Sequence, residues 1–318
     1  MLPTDFTNRF KQLCPKHLYE EAFASFEKAK KTVFRVNTLH PQHHEALAQL
    51  QKDGLHTQAV SWADEYHISA FTCNAHEREL LTYSAQVESG QVYIQGLSSM
   101  LAPIVLAPQA SDWVLDLAAA PGSKTSLLAQ LMQNQGTISA VEPVKSRFFK
   151  LKSNLERLGV ENTRLYSKDG RAIGSLKPDS FDRVLLDAPC SSESLFRADE
   201  PSSYEHWNLH KVAECAKKQK RLILSAFDAL KPKGVMLYCT CSFSPEENEQ
   251  IVDFLLKKRP NAKLQEIALS LPNMTAGLTA WSGKSYAPEC GLTKRVWPTD
   301  EMDGFFMALI RKEQANSL

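Results

Sequence analysis

The chain has 318 residues, is 43% hydrophobic and 23% charged, and carries a formal net charge of +1. That is room for about two domains and a sizeable core, and the composition excludes a disordered, collagen-like or disulfide-stapled chain. A balanced total charge gives no whole-chain signal for a nucleic-acid partner, so any basic footprint has to be local.

Residues 1–6 lack the charged-then-apolar layout of a signal peptide. The longest apolar stretch, residues 100–108, is too short to span a bilayer and is broken by Pro103. Seven cysteines without regular spacing, and without a Cys-x-x-Cys pair, read as reduced thiols of a cytoplasmic protein. Along the chain, helices are predicted over 6–13 and 17–30, a strand over 32–36 and a helix over 41–52. Short strands follow, ending at 91–95, before a helix over 97–106. A junction at 108–112 divides the chain into a smaller part, 1–108, and a larger one, 109–318. The first hundred residues hold seven of the nine histidines; His40, His43 and His44 read as a solvated loop.

From Trp113 the pattern alternates. Strands are predicted over 113–117, 137–141, 163–167, 181–186 and 235–238. Helices are predicted over 123–133, 144–158 (ended by Gly159), 209–230 (stopped by Pro232-Lys233-Gly234) and 246–258, the last with an acidic first turn that suits the helix dipole. A closing strand lies near 304–310. Such alternation implies an α/β fold with a mostly parallel sheet covered by helices.

In open α/β sheets ligands bind at the carboxyl ends of the strands. Ala118, Ala119, Ala120, Pro121, Gly122, Ser123 and Lys124 follow the first strand of the larger part. Their small side chains let a ligand approach the backbone at a helix N-terminus. The loop is neither Gly-x-Gly-x-x-Gly nor a P-loop. Glu142 ends the next strand, where an acidic side chain takes the ribose hydroxyls of an adenosine-type cofactor. Asp169 and Asp187 follow the two strands after that. Cys190 lies in Asp187-Ala188-Pro189-Cys190-Ser191 and Cys241 in Thr240-Cys241-Ser242, both directly after apolar strands. A thiolate is a strong nucleophile once its pKa is lowered, so two thiols facing one cleft point to covalent chemistry beside a cofactor. A zinc site from Cys190, Cys239 and Cys241 lacks paired spacing and histidines, and no metal is expected. Cys14, Cys73, Cys215 and Cys290 carry no motif and read as buried small apolar residues.

These motifs, with Arg35-Val36-Asn37-Thr38-Leu39, Tyr93-Ile94-Gln95, Ser98-Ser99-Met100-Leu101, Glu246-Glu247-Asn248-Glu249 and Asp303-Gly304-Phe305-Phe306, resemble the Sun-type RNA cytosine-5 methyltransferases over most of the chain. The chain departs from that pattern at Ser123 and Ser192, where glycine is common, at Cys239, where serine is common, and at Gly96, where an acid is frequent. The resemblance implies a Rossmann-like class I methyltransferase fold with a seven-stranded, mostly parallel sheet and a smaller α+β RNA-binding subdomain. It implies S-adenosyl-L-methionine as cofactor, held by residues 118–124, Glu142, Arg147, Asp169 and Asp187.

Carbon 5 of cytosine is a poor nucleophile until a thiolate adds at carbon 6, with N3 protonated or strongly hydrogen-bonded. On chemistry alone either thiol can attack, and cytosine-5 DNA methyltransferases use the Pro-Cys cysteine. The resemblance to the RNA enzymes implies Cys241 as nucleophile, Cys190 as an aid to release, and Asp187 as partner of N3. The alternatives are a DNA methyltransferase and a non-catalytic RNA-binding scaffold. The expected partner is RNA, rRNA ahead of tRNA, with no membrane association and a monomeric state. Residues 145–171 carry eight basic side chains against three acidic, and residues 211–233 seven against two; both are candidate phosphate contacts. Arg35, Arg197, Lys294 and Arg295 are further candidates, and Phe196 is a candidate to stack on an unstacked base.

Overall fold

A computed structural model describes residues 1–314. The chain opens with α1 (Thr4–Leu13) and α2 (Lys16–Ala24), each preceded by a proline, whose missing N–H costs nothing at a helix start. α2 stops at Ala24 rather than near residue 30. Ser25 Oγ donates to Ala22 O at 2.7 Å, and Phe26 turns inward to full burial. Next come β1 (Thr32–Val36), α3 (His43–Lys52), β2 (Gln58–Ala59), α4 (Ser61–Asp64) and β3 (Ala70–Cys73). α5 (Arg78–Thr82), α6 (Ala85–Glu88) and β4 (Val92–Ile94) complete this part. Its four strands form an antiparallel sheet in the order β2-β3-β1-β4. α7 (Leu97–Leu106) follows and buries Met100, Leu101 and Ile104 in the core of the larger sheet, with Leu127, Leu185 and Leu237.

The larger part runs β5 (Trp113–Asp116), α8 (Ser123–Leu131), β6 (Thr137–Val141), α9 (Lys145–Arg157) and β7 (Thr163–Tyr166). It continues with α10 (Ile173–Leu176), β8 (Phe181–Asp187), α11 (Leu209–Ala229), β9 (Leu230–Thr240) and α12 (Glu249–Lys258). β10 (Ala262–Gln265), β11 (Met274–Ala276), the hairpin β12 (Ala280–Trp281) and β13 (Lys284–Ser285), β14 (Lys294–Val296) and β15 (Phe305–Lys312) finish it. Pro232-Lys233-Gly234 does not separate α11 from its strand. It lies inside β9, where pairing with β8 jumps from Phe181–Leu230 to Arg183–Val235 and Lys233 takes φ 69.

Seven strands lie in the order β7-β6-β5-β8-β9-β15-β10, the first five parallel and β15 antiparallel to β9. Among the described residues the sheet has nine strands rather than the expected seven. β10 pairs only with Leu309–Lys312, leaving the other half of the same β15 edge to β14, which in turn pairs β11. The β8 run is buried on both faces, as parallel strands require. Leu185 enters the core beside α7 and α8, while Val184 and Leu186 enter the opposite one, beside Ile223, Ala226, Ile251 and Leu255 of α11 and α12. Each such side chain contributes about 1.5–3 kcal/mol.

A third cluster is almost wholly aromatic. Phe6, Phe10 and Phe26 pack against Phe196, Trp207, Phe243 and Trp297, with Phe6–Phe196 and Phe10–Phe243 centroids both 4.9 Å apart. Phe196 is fully buried here and so belongs to the core, not to a base-stacking surface. The chain leaves β5 towards β6 and later returns to β8 on the other side. Loops from the two halves therefore diverge above β5, and the site lies in that crevice.

Candidate active site

A cleft of about 230 Å3 opens at the carboxyl end of β5. Ala118, Ala119, Ala120, Pro121, Ser123 and Lys124 line it from the β5–α8 loop. Asp187 enters from the end of β8, Cys241 from the loop after β9 and Phe305 from the start of β15. Gly122 makes the loop possible. It sits at φ 103, and a Cβ there would meet Leu151 Cδ1 at 3.0 Å, so only glycine suits both demands.

Lys124 carries a buried cation to this cleft. Its Nζ donates to Asp187 Oδ2 at 2.7 Å and to Ser99 Oγ at 3.1 Å. Burial works against the charge, but the Asp187 carboxylate outweighs it and holds the ammonium above the usual lysine range. Asp116, at the end of β5, also lines the cleft. Its Oδ2 accepts from Thr125 Oγ1 at 2.7 Å, its Oδ1 has no partner, and burial pushes its carboxyl up to about 7.

Glu142, Arg147, Asp169, Gly122 and Cys190 are not in the lining of this cleft. Glu142 ends β6 next to the loop, where Ala119 N donates to Val141 O at 3.0 Å. Its Oε1 accepts from Val144 N at 2.9 Å. Its buried Oε2 has no hydrogen bond, with Arg147 Nη1 3.5 Å away. Arg147 Nη2 instead donates to Ala120 O at 2.8 Å. Asp169 caps its own turn and chelates Arg171 at the surface. An orphaned carboxylate oxygen at a strand end, beside a loop of small residues, fits the ribose of an adenosine-type cofactor.

The two cysteines do meet. Cys190 Sγ and Cys241 Sγ are 3.1 Å apart, Cys241 facing the cleft. The hydrogen bond with Cys241, then burial, holds the Cys190 thiol well above its ordinary range. Cys239 lies fully buried, its Sγ 3.7 Å from Asp187 Oδ1.

Two glutamates bring the cysteine loops together. Glu193, just after Cys190, accepts from Phe243 N at 2.7 Å, Ser244 N at 2.9 Å and Ser244 Oγ at 2.6 Å. It also accepts from Trp207 Nε1 at 2.9 Å. Glu247, after Cys241, reaches back to Ser191 N at 3.0 Å and to Ser191 Oγ, and accepts from Gln219 Nε2 at 2.9 Å. Ser242 Oγ lies 3.0 Å from Glu193 Oε2 and 2.9 Å from Glu247 Oε1. One hydroxyl hydrogen cannot serve both carboxylates. Burial, then the charge of Glu193, pushes the Glu247 carboxyl up to about 7, which lets a proton complete the pair. Of the acids read into the first turn of α12, Glu249 lies in the helix. Glu247 precedes the helix, and Glu249 is fully buried against Arg295.

A pH dependence of stability follows. The folded state holds the Glu247 proton more tightly than an ordinary carboxyl near 4.5. The resulting stabilisation is complete below that value and is lost as pH rises through about 7, up to about 3 kcal/mol. Asp116 acts with the same sign. The urea midpoint is therefore expected to fall between about pH 5 and pH 8, and to fall less in Glu247→Gln. An equal fall in both proteins would exclude Glu247 as a source.

Ser192, a departure from the family glycine, takes φ 57 and ψ 32, the left-handed region that glycine occupies without strain. Arg35 and Arg295 are not phosphate contacts. Arg35 is fully buried and donates to Gln95 Oε1, Gln130 and Ser126 Oγ; Arg295 is spent on Glu249. Cys14, Cys73, Cys215 and Cys290 are buried. Asp116 and Glu193 are residues around the cleft and cysteine loops that sequence reasoning missed; Glu247 entered it only within the Glu246–Glu249 motif. Asp116 had one signal, an acid closing an apolar strand.

Comparison with known proteins agrees with this geometry. The family model described as 16S rRNA methyltransferase RsmB/F matches residues 103–311. The tRNA (cytosine(49)-C(5))-methyltransferase of Pyrococcus abyssi is 38% identical over 92% of this chain and 92% of its own length. The ribosomal RNA small subunit methyltransferase F of Vibrio atlanticus is 38% identical over 98% of this chain. The chain spans 64% of that relative's length. A crystal structure of a methyltransferase homolog protein from Pyrococcus horikoshii superposes with a TM-score of 0.77 at 32% identity, covering 98% of this chain and all of that one. No helix among the described residues is long and apolar enough to cross a membrane. With the small-residue loop at 118–124, the paired cysteine motifs and relatives matched along nearly its whole length, the chain belongs to the Sun-type family of S-adenosylmethionine-dependent RNA cytosine-5 methyltransferases that includes RsmB/F.

Proposed function

We propose that this chain methylates carbon 5 of a cytosine in a structured RNA, with Cys241 as the attacking thiol. The observation that carries the reading is the sharing of one cleft by Cys241, Asp187, Lys124 and the 118–121 loop. S-adenosylmethionine supplies an electrophilic methyl group on sulfur. Glu142 Oε2 is the free acceptor for its ribose, and the alanines leave it room. Glu142→Ala is expected to weaken S-adenosylmethionine binding roughly tenfold or more, the usual worth of a hydrogen bond to a charged group. Titration calorimetry checks this, and unchanged affinity would remove Glu142 from the cofactor site.

Cys241 adds to carbon 6 of the cytosine, and the carbon 5–carbon 6 double bond becomes an enamine that takes the methyl group at carbon 5. Asp187, held by Lys124, is the hydrogen-bond partner of N3 while that nitrogen gains a proton. Loss of the carbon 5 proton to solvent and release of the proton taken up at N3 then re-form the double bond and expel the thiolate, leaving 5-methylcytosine. Cys190 supports this assignment from behind. Its raised pKa keeps it a thiol, with its Sγ 3.1 Å from the Cys241 Sγ.

The substrate RNA is read as rRNA ahead of tRNA: several small subunit methyltransferase F relatives match 98–99% of this chain, while the tRNA (cytosine(49)-C(5))-methyltransferase matches 92% of it at the same identity. Residues 1–108, with their separate four-stranded sheet, are the RNA-binding part. Bisulfite sequencing of total RNA from cells with and without the gene tests the reading. One cytosine, in rRNA or tRNA, is expected to lose protection. No change in any RNA would sink it.

A further inference from the structure

A second cavity, of about 400 Å3, opens beside the cleft, between the four-stranded sheet and the loop after Cys190. The two share Gly96, Ser194, Leu195 and Asp303, so a chain entering one can continue into the other. Its volume lies within the roughly 300–1,000 Å3 typical of ligand sites. Three of its lining residues carry polar atoms without a partner: Gln95 Nε2, Ser194 Oγ and Arg197 Nε. Gln95 is 4% exposed and Ser194 0%. Buried unpaired donors are costly and ask for an explanation.

The unpaired atoms are held in place. Gln95 Oε1 accepts from Arg35 Nε at 2.9 Å, which commits the amide oxygen and leaves Nε2 over. Ser194 N donates to Cys241 O at 3.0 Å, tying this wall to the attacking cysteine. Asp199 Oδ1 lies 3.6 Å from Arg197 Nε, beyond a hydrogen bond. Charge has the same sign as the donors. Lys30 and Lys31 neutralise Asp303 and Glu301 at 2.5 and 2.6 Å, and Arg197 faces Asp199 at ion-pair distance, which leaves Arg78 as the surplus cation on the wall.

A donor-rich, cationic cavity suits a ligand rich in acceptors, such as phosphate oxygens and the carbonyl and ring-nitrogen edges of a base. We propose that it receives the nucleotide adjacent to the target cytosine on the same RNA strand. The proposal rests on the methyl-transfer reading and adds a local sequence preference to it. Leu195, half exposed, is the divider between the two bases.

The test uses RNA hairpins built around the cytosine mapped by bisulfite sequencing, with the nucleotide on its 5′ or 3′ side made abasic. For the unaltered protein, an abasic residue on one side is expected to lower kcat/KM roughly tenfold, as when a site's polar groups lose their partner. In Ser194→Ala, and in Gln95→Glu, which keeps the acceptor for Arg35, the same RNA is expected to show little further penalty. Methylation of the parent hairpin by each variant shows that it is folded. Equal methylation of parent and both abasic RNAs overturns the proposal, as does a penalty undiminished in both variants. Binding of free AMP that Ser194→Ala abolishes, with indifference to abasic RNA, would give the cavity to a free nucleotide and overturn it too. A parent hairpin that is itself inert defeats the methyl-transfer reading instead, and this proposal with it.

Discussion

Cys241→Ala is expected to lower methyl transfer by about 10⁴-fold or more and to leave no covalent enzyme–RNA species. Removing a nucleophile leaves only binding and orientation to act, and losses of that order are the rule. Cys190→Ala is expected to behave in the opposite sense. Its adduct forms, because Cys241, Asp187 and the cofactor loop still line the cleft, but release is slow and the adduct accumulates. The check is a denaturing gel of each variant after incubation with S-adenosylmethionine and the mapped RNA. An adduct with Cys241→Ala and none with Cys190→Ala would reverse the roles.

Arg295→Ala is expected to cost about 3–5 kcal/mol of stability, a large share of the roughly 5–15 kcal/mol that holds a typical domain. Arg295 and Glu249 are both buried and joined by bonds of 2.7 and 2.6 Å. Glu249 Oε1 also accepts from Leu278 N at 3.0 Å, and Arg295 Nη1 donates to Phe243 O at 2.8 Å. Truncating the arginine strands a buried carboxylate and frees the carbonyl two residues beyond Cys241. Chemical denaturation measures the loss. Glu249→Gln combined with Arg295→Met is expected to lose less than Arg295→Ala alone, because no uncompensated charge remains while Leu278 N keeps its acceptor. A single-variant loss below about 1 kcal/mol would show that the pair is not a strut of the fold.

Much of the parallel sheet could be read from the sequence, because most of its strands contain a short apolar run followed by polar or small residues. Val184-Leu185-Leu186 ending at Asp187 is the clearest case. The places of the 118–124 loop and of both cysteine loops at strand ends could be read for the same reason. Charged residues misled when their partners lay far away in sequence. Arg35 looked free, yet its partners are 60 to 95 positions distant. Glu193 drew no reading and Glu247 was read only within the Glu246–Glu249 run, yet they bind backbone N–H groups about 50 residues off. Phe196 was ambiguous by itself; Phe6 of α1, at the far end of the chain, packs on it together with Tyr204 and Trp207 and makes it core. Local punctuation also misled at Pro232-Lys233-Gly234, where a bulge absorbs residues that usually end an element.

The aromatic cluster gives the molecule an optical reporter of its own. Trp297 stacks on Phe243 with rings 5.8 Å apart and 2° from parallel, and Phe243 is two residues from Cys241. Trp207 is hydrogen-bonded through its indole to Glu193, three residues from Cys190. One indole is thus coupled to each cysteine loop, and neither lies on the surface. Under the proposed reaction, a separation of the loops as a modified RNA departs is expected to change the surroundings of both indoles, and intrinsic fluorescence would report it without an added label.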